Sequence, residues 1–287
     1  MDLKGFTVNS RPEIFAHRPA PVQVSWLGYP GSMGADFIDY IIGDPMVTPF
    51  EDQPFYSERI VQLPHCYQVN SSRSQGPIPT RRDAGLPDQG FVFCCFNNSW
   101  KITPPVFEIW MRLLAATPGA VLWLYEPRDD IRLRLGAAAR ARGIDPERLV
   151  FAGKTSHADH LARCALADLV LDTLPYNAHT TASDALWAGV PLVTCRGRSF
   201  AARVAASILD AAGLPELITS DLQAYEALAL RLAHDPQTHA TLKARIAANR
   251  DQAPLFDLPR FCRDIETAYA RMRDIAARGE PPRSFRV

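Results

Sequence analysis

The amino-acid sequence predicts an α/β protein, and two observations lead to this fold class. From residue 91 onward, short apolar segments of strand length alternate with segments whose apolar residues recur at helical spacing. Strands that alternate with helices form a parallel sheet with right-handed crossovers, which is a Rossmann-like unit. The chain has 287 residues, of which 47% are hydrophobic, so it can bury a substantial core in one large or two medium domains.

The first part of the chain indicates short strands separated by proline-rich turns. Residues 22–27 alternate like a strand, residues 28–32 form a tight loop, and residues 38–42 and 59–64 indicate two more strands. From about residue 71 to residue 90 the sequence is rich in Ser, Pro, Gly, Arg and Gln and has almost no apolar pattern. This composition is typical of a linker.

Beyond the linker the pattern becomes regular. The predicted strands are residues 91–96, 121–124, 149–152, 169–171 and 191–194, and the predicted helices are residues 105–116, 129–142, 158–165, 181–188 and 200–212. In such a sheet, ligands bind beyond the carboxyl ends of the strands. The polar residues that follow three of these strands are Asn97, Asn98, Lys101, His157, His160, His179, Thr180 and Thr181. Arg203, after a fourth strand, is a weaker candidate.

Residues 177–184, with the sequence Asn-Ala-His-Thr-Thr-Ala-Ser-Asp, follow a predicted buried strand and lead directly into a helix. Two threonines at the start of a helix place hydroxyls and unpaired N–H groups where the helix dipole favours negative charge, which suits a diphosphate. The simpler alternative is that Thr180 or Thr181 caps the helix. A cap requires neither His179 nor Asp184, which would supply a donor to phosphate and an acceptor for a ribose hydroxyl.

Two further side chains suit a nucleotide at the same sheet edge. Lys101 would neutralise a phosphate, and His160 would stack on a base. The alternatives are that Lys101 is a solvated surface charge and that His160 is an ordinary surface or core histidine. Because Lys101 follows a loop and precedes Pro104, we expect it at the mouth of the cleft, where its truncation costs little stability.

The sequence contains no glycine-rich dinucleotide fingerprint, no P-loop and no Asp-x-Asp pair. A dehydrogenase and a P-loop NTPase are therefore disfavoured, and we expect no metal ion in the site. The charge of a diphosphate would instead be met by Lys101, His179 and helix N-termini.

The overall composition argues against several other classes. Lys and Arg together number 31, as do Asp and Glu, so no global charge favours nucleic acid or an anionic membrane. The six cysteines have no Cys-x-x-Cys spacing and lie mostly in apolar segments, which indicates buried thiols rather than disulfides or zinc ligands. Since there is neither a signal-peptide pattern nor an apolar run of membrane-spanning length, we expect a cytoplasmic protein.

Several motifs resemble the catalytic region of O-linked N-acetylglucosamine transferases and SPINDLY-type O-fucosyltransferases. The matching segments lie in collinear order over nearly the whole chain, at residues 26–31, 95–102, 171–194, 201–207 and 253–256. The resemblance implies a GT-B fold, in which two Rossmann-like halves face each other across a cleft, and a sugar transfer that is inverting and metal-independent.

The resemblance also implies which residues bind the donor nucleotide. The matching positions are Asn98, Lys101, His157, His160, Arg163, His179, Thr180, Thr181 and Asp184. Within this set, Lys101 and His179 match the family's groups on the leaving diphosphate, which make them the catalytic candidates. His160 matches the base-stacking histidine, with Arg163 beside it. Asp184 matches the ribose-binding aspartate.

Two of these positions depart from the animal enzymes, which have Gln at Asn98 and Lys at His157. Because both positions contact the nucleotide or the sugar in the family, the donor stays open between UDP-GlcNAc, which we expect, and GDP-fucose or another sugar nucleotide. By the same resemblance, Gly31 lies in the loop that borders the cleft.

By resemblance we expect the C-terminal Rossmann-like half to be complete and the N-terminal half to be partial. Residues 1–75 would be the remainder of the N-terminal half, residues 76–90 the linker and residues 91–255 the nucleotide-binding half. Residues 256–287 would form a C-terminal helix that packs back on the N-terminal part. The residues before the linker are too few for a complete Rossmann-like unit, and the sequence has no TPR period.

Two functions therefore stay open at the level of the sequence. The expected function is transfer of a sugar, GlcNAc by resemblance, from a nucleotide donor to Ser or Thr hydroxyls of acceptor proteins. The alternative is a non-catalytic nucleotide-binding module that requires an N-terminal segment or a partner chain for activity. The sequence identifies no general base.

Overall fold

The structure, a computed structural model, describes residues 1–287 and contains two parallel β-sheets. The strands of the N-terminal sheet are β1 (Val24–Ser25), β2 (Tyr40–Gly43), β3 (Arg59–Gln62) and β10 (Phe285–Arg286). They lie in the order β1-β2-β3-β10, and every pairing is parallel. The sequence analysis did not predict β10, because two residues are too few to show a strand period.

Strand β1 is shorter than the predicted strand because the backbone turns directly after it. Leu27 has φ of +76°, outside the strand region. A Cβ atom added to Gly28 would lie 2.1 Å from the carbonyl oxygen of Leu3, so only glycine fits at this position. The loop at residues 28–32 begins at this close approach.

The C-terminal sheet has the strand order of a Rossmann fold. Its strands are β4 (Val92–Cys95), β5 (Val121–Tyr125), β6 (Leu149–Ala152), β7 (Leu169–Leu171), β8 (Leu192–Cys195) and β9 (Ile218–Thr219). The order is β6-β5-β4-β7-β8-β9, and all pairings are parallel. The predicted strands in this region are confirmed to within one residue at each end. The order reverses between β4 and β7, which is the switch point where such sheets bind ligands.

Nine helices connect and cover these sheets. They are α1 (Glu13–Ala16), α2 (Pro104–Ala116), α3 (Asp129–Arg140), α4 (His157–Cys164), α5 (Thr180–Trp187), α6 (Val204–Ala211), α7 (Leu222–His234), α8 (Pro236–Asn249) and α9 (Leu258–Ala277). The helix predicted over residues 200–212 is divided into a 3-10 turn at Phe200–Ala202 and α6. The break lies at Arg203, with φ of −122° and ψ of −6°.

Helix α9 packs against the N-terminal sheet. Its buried residues Ile265, Ala268, Met272 and Ile275 recur at intervals of three and four, which places them on one face. That face contacts the buried side chains of β1, β2, β3 and β10 in a separate hydrophobic core. The chain thus returns from the C-terminal sheet to complete the N-terminal one.

The two sheets also share contacts with each other. A second hydrophobic core joins Ile41 and Ile60 of the N-terminal sheet to residues of the C-terminal one. Buried Asp44 accepts hydrogen bonds from the Tyr67 backbone N–H at 2.9 Å and from Ser207 Oγ at 2.6 Å. Because Ser207 lies on α6, this carboxylate connects the two parts of the chain.

All six cysteines are free thiols. Five are buried, as their apolar surroundings in the sequence predict, whereas Cys262 on α9 is exposed. Separately, none of the helices combines the length and the apolar composition that a membrane crossing requires.

Candidate active site

The predicted site residues converge on the switch point of the C-terminal sheet. Strand β4 ends at Cys95 and is followed by Asn97 and Lys101, and β7 ends at Leu171 and leads to helix α5. Helix α4, which follows β6, begins in the same region. Its first residue, His157, has Nε2 at 3.2 Å from Asp184 Oδ1 on α5. Three loops of one sheet edge therefore form one group.

Helix α5 begins without a side-chain cap. Its N-cap residue is His179, whose side chain makes no capping hydrogen bond. Thr181 Oγ1 instead donates to Asn97 Oδ1 at 2.7 Å, and Thr180 is exposed. The capping alternative for the two threonines is therefore wrong. The first N–H groups of the helix have no intrahelical partner and form the positive end of the helix dipole.

Asn97 fixes the start of α5 relative to β4. It is buried, and its Nδ2 donates to Thr173 Oγ1 at 2.8 Å while its Oδ1 accepts from Thr181. One amide side chain thus joins the loop after β4, the loop after β7 and the helix. Its neighbour Asn98, a predicted donor-binding residue, is exposed.

Asp172 lies beneath these loops. Its carboxylate accepts hydrogen bonds from Ala178 N at 2.6 Å, Thr173 N at 2.7 Å and Thr194 Oγ1 at 2.6 Å. Burial raises its pKa to about 6, and these donors oppose the shift. The sequence analysis did not include Asp172 in the site, although an acidic residue that ends an apolar strand was a visible signal.

Lys101 is half-buried, so the alternative that it is a solvated surface charge is wrong. Its Nζ donates to the carbonyl of Asn177 at 2.8 Å and lies 4.2 Å from the centroid of the Tyr176 ring. Burial lowers its pKa, whereas nearby Asp172 opposes that shift. The cation is held by backbone and aromatic contacts within reach of the α5 N-terminus. Tyr176 is a further site residue that the sequence analysis missed.

His179 is a buried ring whose surroundings favour its neutral form. Burial is the largest cause that lowers its pKa to about 3, and Lys101 adds to the effect. Its ring stacks on Tyr176 with centroids 5.0 Å apart. Its Nε2 is buried and has no hydrogen-bond partner. An unpartnered buried nitrogen next to Lys101 fits a phosphate oxygen.

His160 is also neutral, and its tautomer follows from its contacts. Arg163 Nε and Nη2 lie 3.3 and 3.1 Å from His160 Nδ1, and because a guanidinium only donates, Nδ1 accepts and Nε2 has the proton. Burial and the Arg163 charge lower its pKa to about 4. Only 16% of the side chain is exposed, so a base would reach a limited part of the ring.

Arg163, which contacts His160, is itself held in place by two other contacts. Its Nη1 donates to the Gly153 carbonyl at 2.8 Å, and the guanidinium lies 4.9 Å from the Phe96 ring centroid. His160 contacts the same ring, with centroids 5.3 Å apart. Arg163 therefore orients His160 within the protein.

Asp184 is nearly buried and is already paired. It forms an ion pair with Arg73 of the linker. His157 Nε2 reaches the same oxygen, Oδ1, although 57% of the His157 side chain is exposed. The sequence analysis missed Arg73, since nothing in a linker composition indicates which charged residue folds back onto a helix.

Two candidates remain, Gly31 and Arg203. Gly31 is in the loop after β1, and its neighbour Tyr29 is close enough to Tyr176 to contribute, after burial, to the raised pKa of that phenol. Arg203, the weaker candidate, forms an ion pair with Asp52 at 2.5 Å. Arg203 therefore links the C-terminal unit to a turn of the N-terminal unit.

Comparisons with known proteins identify the family to which the chain belongs. The sequence pattern of the family described as Glycosyl transferase family 41 matches residues 1–75 and 70–265. The chain is 38% identical to the Arabidopsis thaliana protein SEC, a probable UDP-N-acetylglucosamine–peptide N-acetylglucosaminyltransferase, over all of this chain and 30% of SEC. It is 36% identical to Petunia hybrida SPINDLY, which has the same description, over 95% of this chain and 30% of SPINDLY. The chain thus spans about a third of the length of these relatives.

A solved structure extends the likeness to three dimensions. An O-GlcNAc transferase mutant from Thermobaculum terrenum superposes with a TM-score of 0.84 at 35% sequence identity, over 92% of this chain and 51% of that one. With its two Rossmann-like parallel sheets, the chain has the GT-B fold. The family match over most of the sequence and the close structural likeness together show that the chain belongs to glycosyl transferase family 41.

Proposed function

We propose that this chain provides the donor-binding part of a protein glycosyltransferase that transfers GlcNAc from UDP-GlcNAc to Ser or Thr hydroxyls, with inversion and without a metal ion. The observation that supports this best is the convergence of Lys101, His179 and the α5 N-terminus at the switch point of the C-terminal sheet. These groups complement a diphosphate. Asp184 and His160 lie at the other end of the group, where a nucleoside would extend.

The proposed reaction is a direct displacement at the anomeric carbon of the sugar. The acceptor hydroxyl oxygen forms the new bond as the bond from that carbon to the diphosphate oxygen breaks, and the hydroxyl proton leaves to a base outside the residues assigned here. Negative charge grows on the departing diphosphate, and stabilising it there is the largest contribution a protein makes to such a step. Lys101 supplies the positive charge, and His179 with the N–H groups of α5 supplies hydrogen bonds.

The alternative is a nucleotide-binding module that needs a further segment or partner chain for activity. One observation favours keeping it. An apolar groove of about 670 Å³ lies between Met1, Val22 and Met272 on the N-terminal unit, and none of the candidate-site residues lines it. A segment equivalent to the remainder of the T. terrenum protein would have an apolar surface to cover there.

Titration calorimetry with UDP and GDP, followed by a peptide-transfer assay with UDP-GlcNAc, tests this proposal. We expect UDP to bind more tightly than GDP, because His157, His160 and Arg163 form the nucleoside end, and we expect EDTA to leave the UDP affinity unchanged. UDP binding without sugar transfer would favour the alternative, a nucleotide-binding module. Equal or tighter GDP binding, or an affinity that EDTA abolishes and magnesium restores, would contradict the proposed donor site.

A further inference from the structure

Arg73 connects the linker to the nucleoside end of the candidate site. Its Nη1 forms the ion pair with Asp184 Oδ1, and its Nη2 donates to Asn70 Oδ1. Only 11% of the Arg73 side chain and 5% of the Asp184 side chain are exposed. Unlike a solvated surface pair, this pair is shielded from water and holds both side chains in one arrangement.

The contacts use one oxygen of the Asp184 carboxylate and leave the other without a hydrogen-bond partner. Oδ1 is in contact with Arg73 and lies 3.2 Å from His157 Nε2. Oδ2 lies 3.9 Å from the protonated Nε2 of His160, beyond hydrogen-bond distance. Since each carboxylate oxygen accepts about two hydrogen bonds, Oδ2 is the atom that a ligand hydroxyl can use.

The segment around Arg73 is attached to the same two helices that form the site. Gln68 Nε2 donates to Ser183 Oγ at 3.1 Å, next to Asp184 on α5. On the other side of Arg73, the Gly76 N–H donates to the carbonyl of Ala158 at 3.1 Å, next to His157 on α4. Contacts on both sides of Arg73 limit how far its guanidinium can move away from Asp184.

We propose that Arg73 is a positioning residue of the donor site, which orients Asp184 so that Oδ2 accepts a ribose hydroxyl of a nucleoside diphosphate. This inference rests on the proposed function, which assigns Asp184 to the ribose. A carboxylate that is oriented before binding loses less freedom when the ligand arrives, so affinity rises. The effect is confined to ligands that contain a ribose, because the diphosphate lies at Lys101 and the start of α5.

The test compares UDP with inorganic pyrophosphate, each measured by calorimetry on the full chain. Arg73→Ala is expected to weaken UDP binding about tenfold, as the loss of an outer supporting contact commonly does, and to change pyrophosphate binding by less than about twofold. Arg73→Lys is expected to give an intermediate UDP affinity, because it keeps the charge but cannot bridge Asn70 and Asp184. Arg82→Ala, an exposed arginine of the same linker, is the matched control and should bind UDP like the wild type.

Three results would overturn the inference: an equal loss of UDP and pyrophosphate affinity, tighter UDP binding by Arg73→Ala, or no change. If Arg73→Ala does not fold, the UDP and pyrophosphate affinities of Arg73→Lys test the inference in its place. Asp184→Asn separates this inference from the proposed function. If Asp184→Asn weakens UDP binding while Arg73→Ala does not, only the role of Arg73 is lost. If Asp184→Asn has no effect, or the wild type binds no nucleotide, the proposed donor site itself is wrong.

Discussion

Lys101 and His179 differ from the free polar groups that their positions in the sequence suggest. Both are desolvated, and both contact the ring of Tyr176. Burial lowers the pKa of each, and for the histidine the value falls to about 3, which favours the neutral ring. A phosphate that reaches them would meet the Lys101 ammonium and the His179 ring in a partly buried site, where each interaction is stronger than at a surface.

Lys101→Ala is expected to lower sugar transfer on the order of a hundredfold, because loss of a cation from a developing diphosphate charge costs about 2–4 kcal/mol. It should also lower the free energy of unfolding by about 1 kcal/mol, since the contacts to Asn177 and Tyr176 are lost. Peptide-transfer rates and denaturant unfolding measure the two effects, with Lys243→Ala on α8 as the control. Transfer within about threefold of wild type would remove Lys101 from the phosphate site.

His179 should make the protein sensitive to acid. Its pKa is about 3 in the folded protein and 6.5 ordinarily, so the unfolded chain binds more protons between these values. The free energy of unfolding is therefore undiminished by His179 above about pH 6.5 and decreases as the pH falls toward 3. Between pH 7 and about pH 4.5, the free energy of unfolding should therefore fall by about 1–3 kcal/mol less in His179→Gln than in wild type.

Urea unfolding at the two pH values measures this difference. Asp172 acts in the opposite direction, because its pKa is raised to about 6 and its contribution is lost as the pH rises through that value. Asp172 is present in both proteins, so its effect cancels in the comparison. An identical pH dependence for wild type and His179→Gln would show that His179 titrates normally.

Helix α5 depends on a neighbouring loop, not on its own first residues, for its position. The loop after β4 supplies Asn97, which binds Thr173 and Thr181, and no side-chain cap of α5 replaces that connection. A helix start fixed in this way keeps its N–H groups directed at one point beyond the sheet edge.

Asn97→Ala should lower the free energy of unfolding by about 1–3 kcal/mol, since it leaves the Thr181 hydroxyl without its acceptor and removes the amide that donates to Thr173. UDP affinity should fall as well, because the helix start loses its anchor. The neighbouring substitution Asn98→Ala removes an exposed side chain and should leave the stability unchanged. The two variants are compared by denaturant unfolding and calorimetry; equal stability would exclude the anchoring role of Asn97.

Five of the six strands of the C-terminal sheet were predictable because each is an apolar run bounded by turn residues, as in residues 149–152 and 169–171, whereas the two residues of β9 were not predicted. The grouping of Lys101, His157 and Asp184 was predictable for a related reason, since the ends of parallel strands meet at one edge. Contacts that depend on the tertiary fold were not predictable from the sequence. Arg73 lies in a segment without periodicity, and the two residues of β10 pair only because α9 brings them to β3.

On the scale of the whole molecule, the N-terminal sheet depends on the last part of the chain. Its four strands have two, four, four and two residues, which is little surface for an independent core. Helix α9 supplies the rest through Ile265, Ala268, Met272 and Ile275.

Met272→Ala should therefore lower the free energy of unfolding by about 2–5 kcal/mol, as expected for a cavity at a fully buried position. Arg273→Ala, at the adjacent residue with 76% of its side chain exposed, should change it by less than about 0.5 kcal/mol. Thermal and denaturant unfolding provide the comparison. Similar values for the two variants would mean that α9 is not part of the core.

The return of the chain through α9 has a mechanical consequence. The backbone passes between the two sheets twice, once along the linker after β3 and once between α8 and α9. Two bodies joined at a single point can tilt and twist in any direction, whereas two bodies joined at two points rotate easily only about the line through both. The two passages therefore restrict any relative rotation of the sheets to that axis, in addition to the packing of Ile41 and Ile60 and the contact of Asp44 with Ser207 between the sheets. Because Arg73 lies in the first of these passages, a donor that engages Asp184 would bind at the pivot as well as in the cleft.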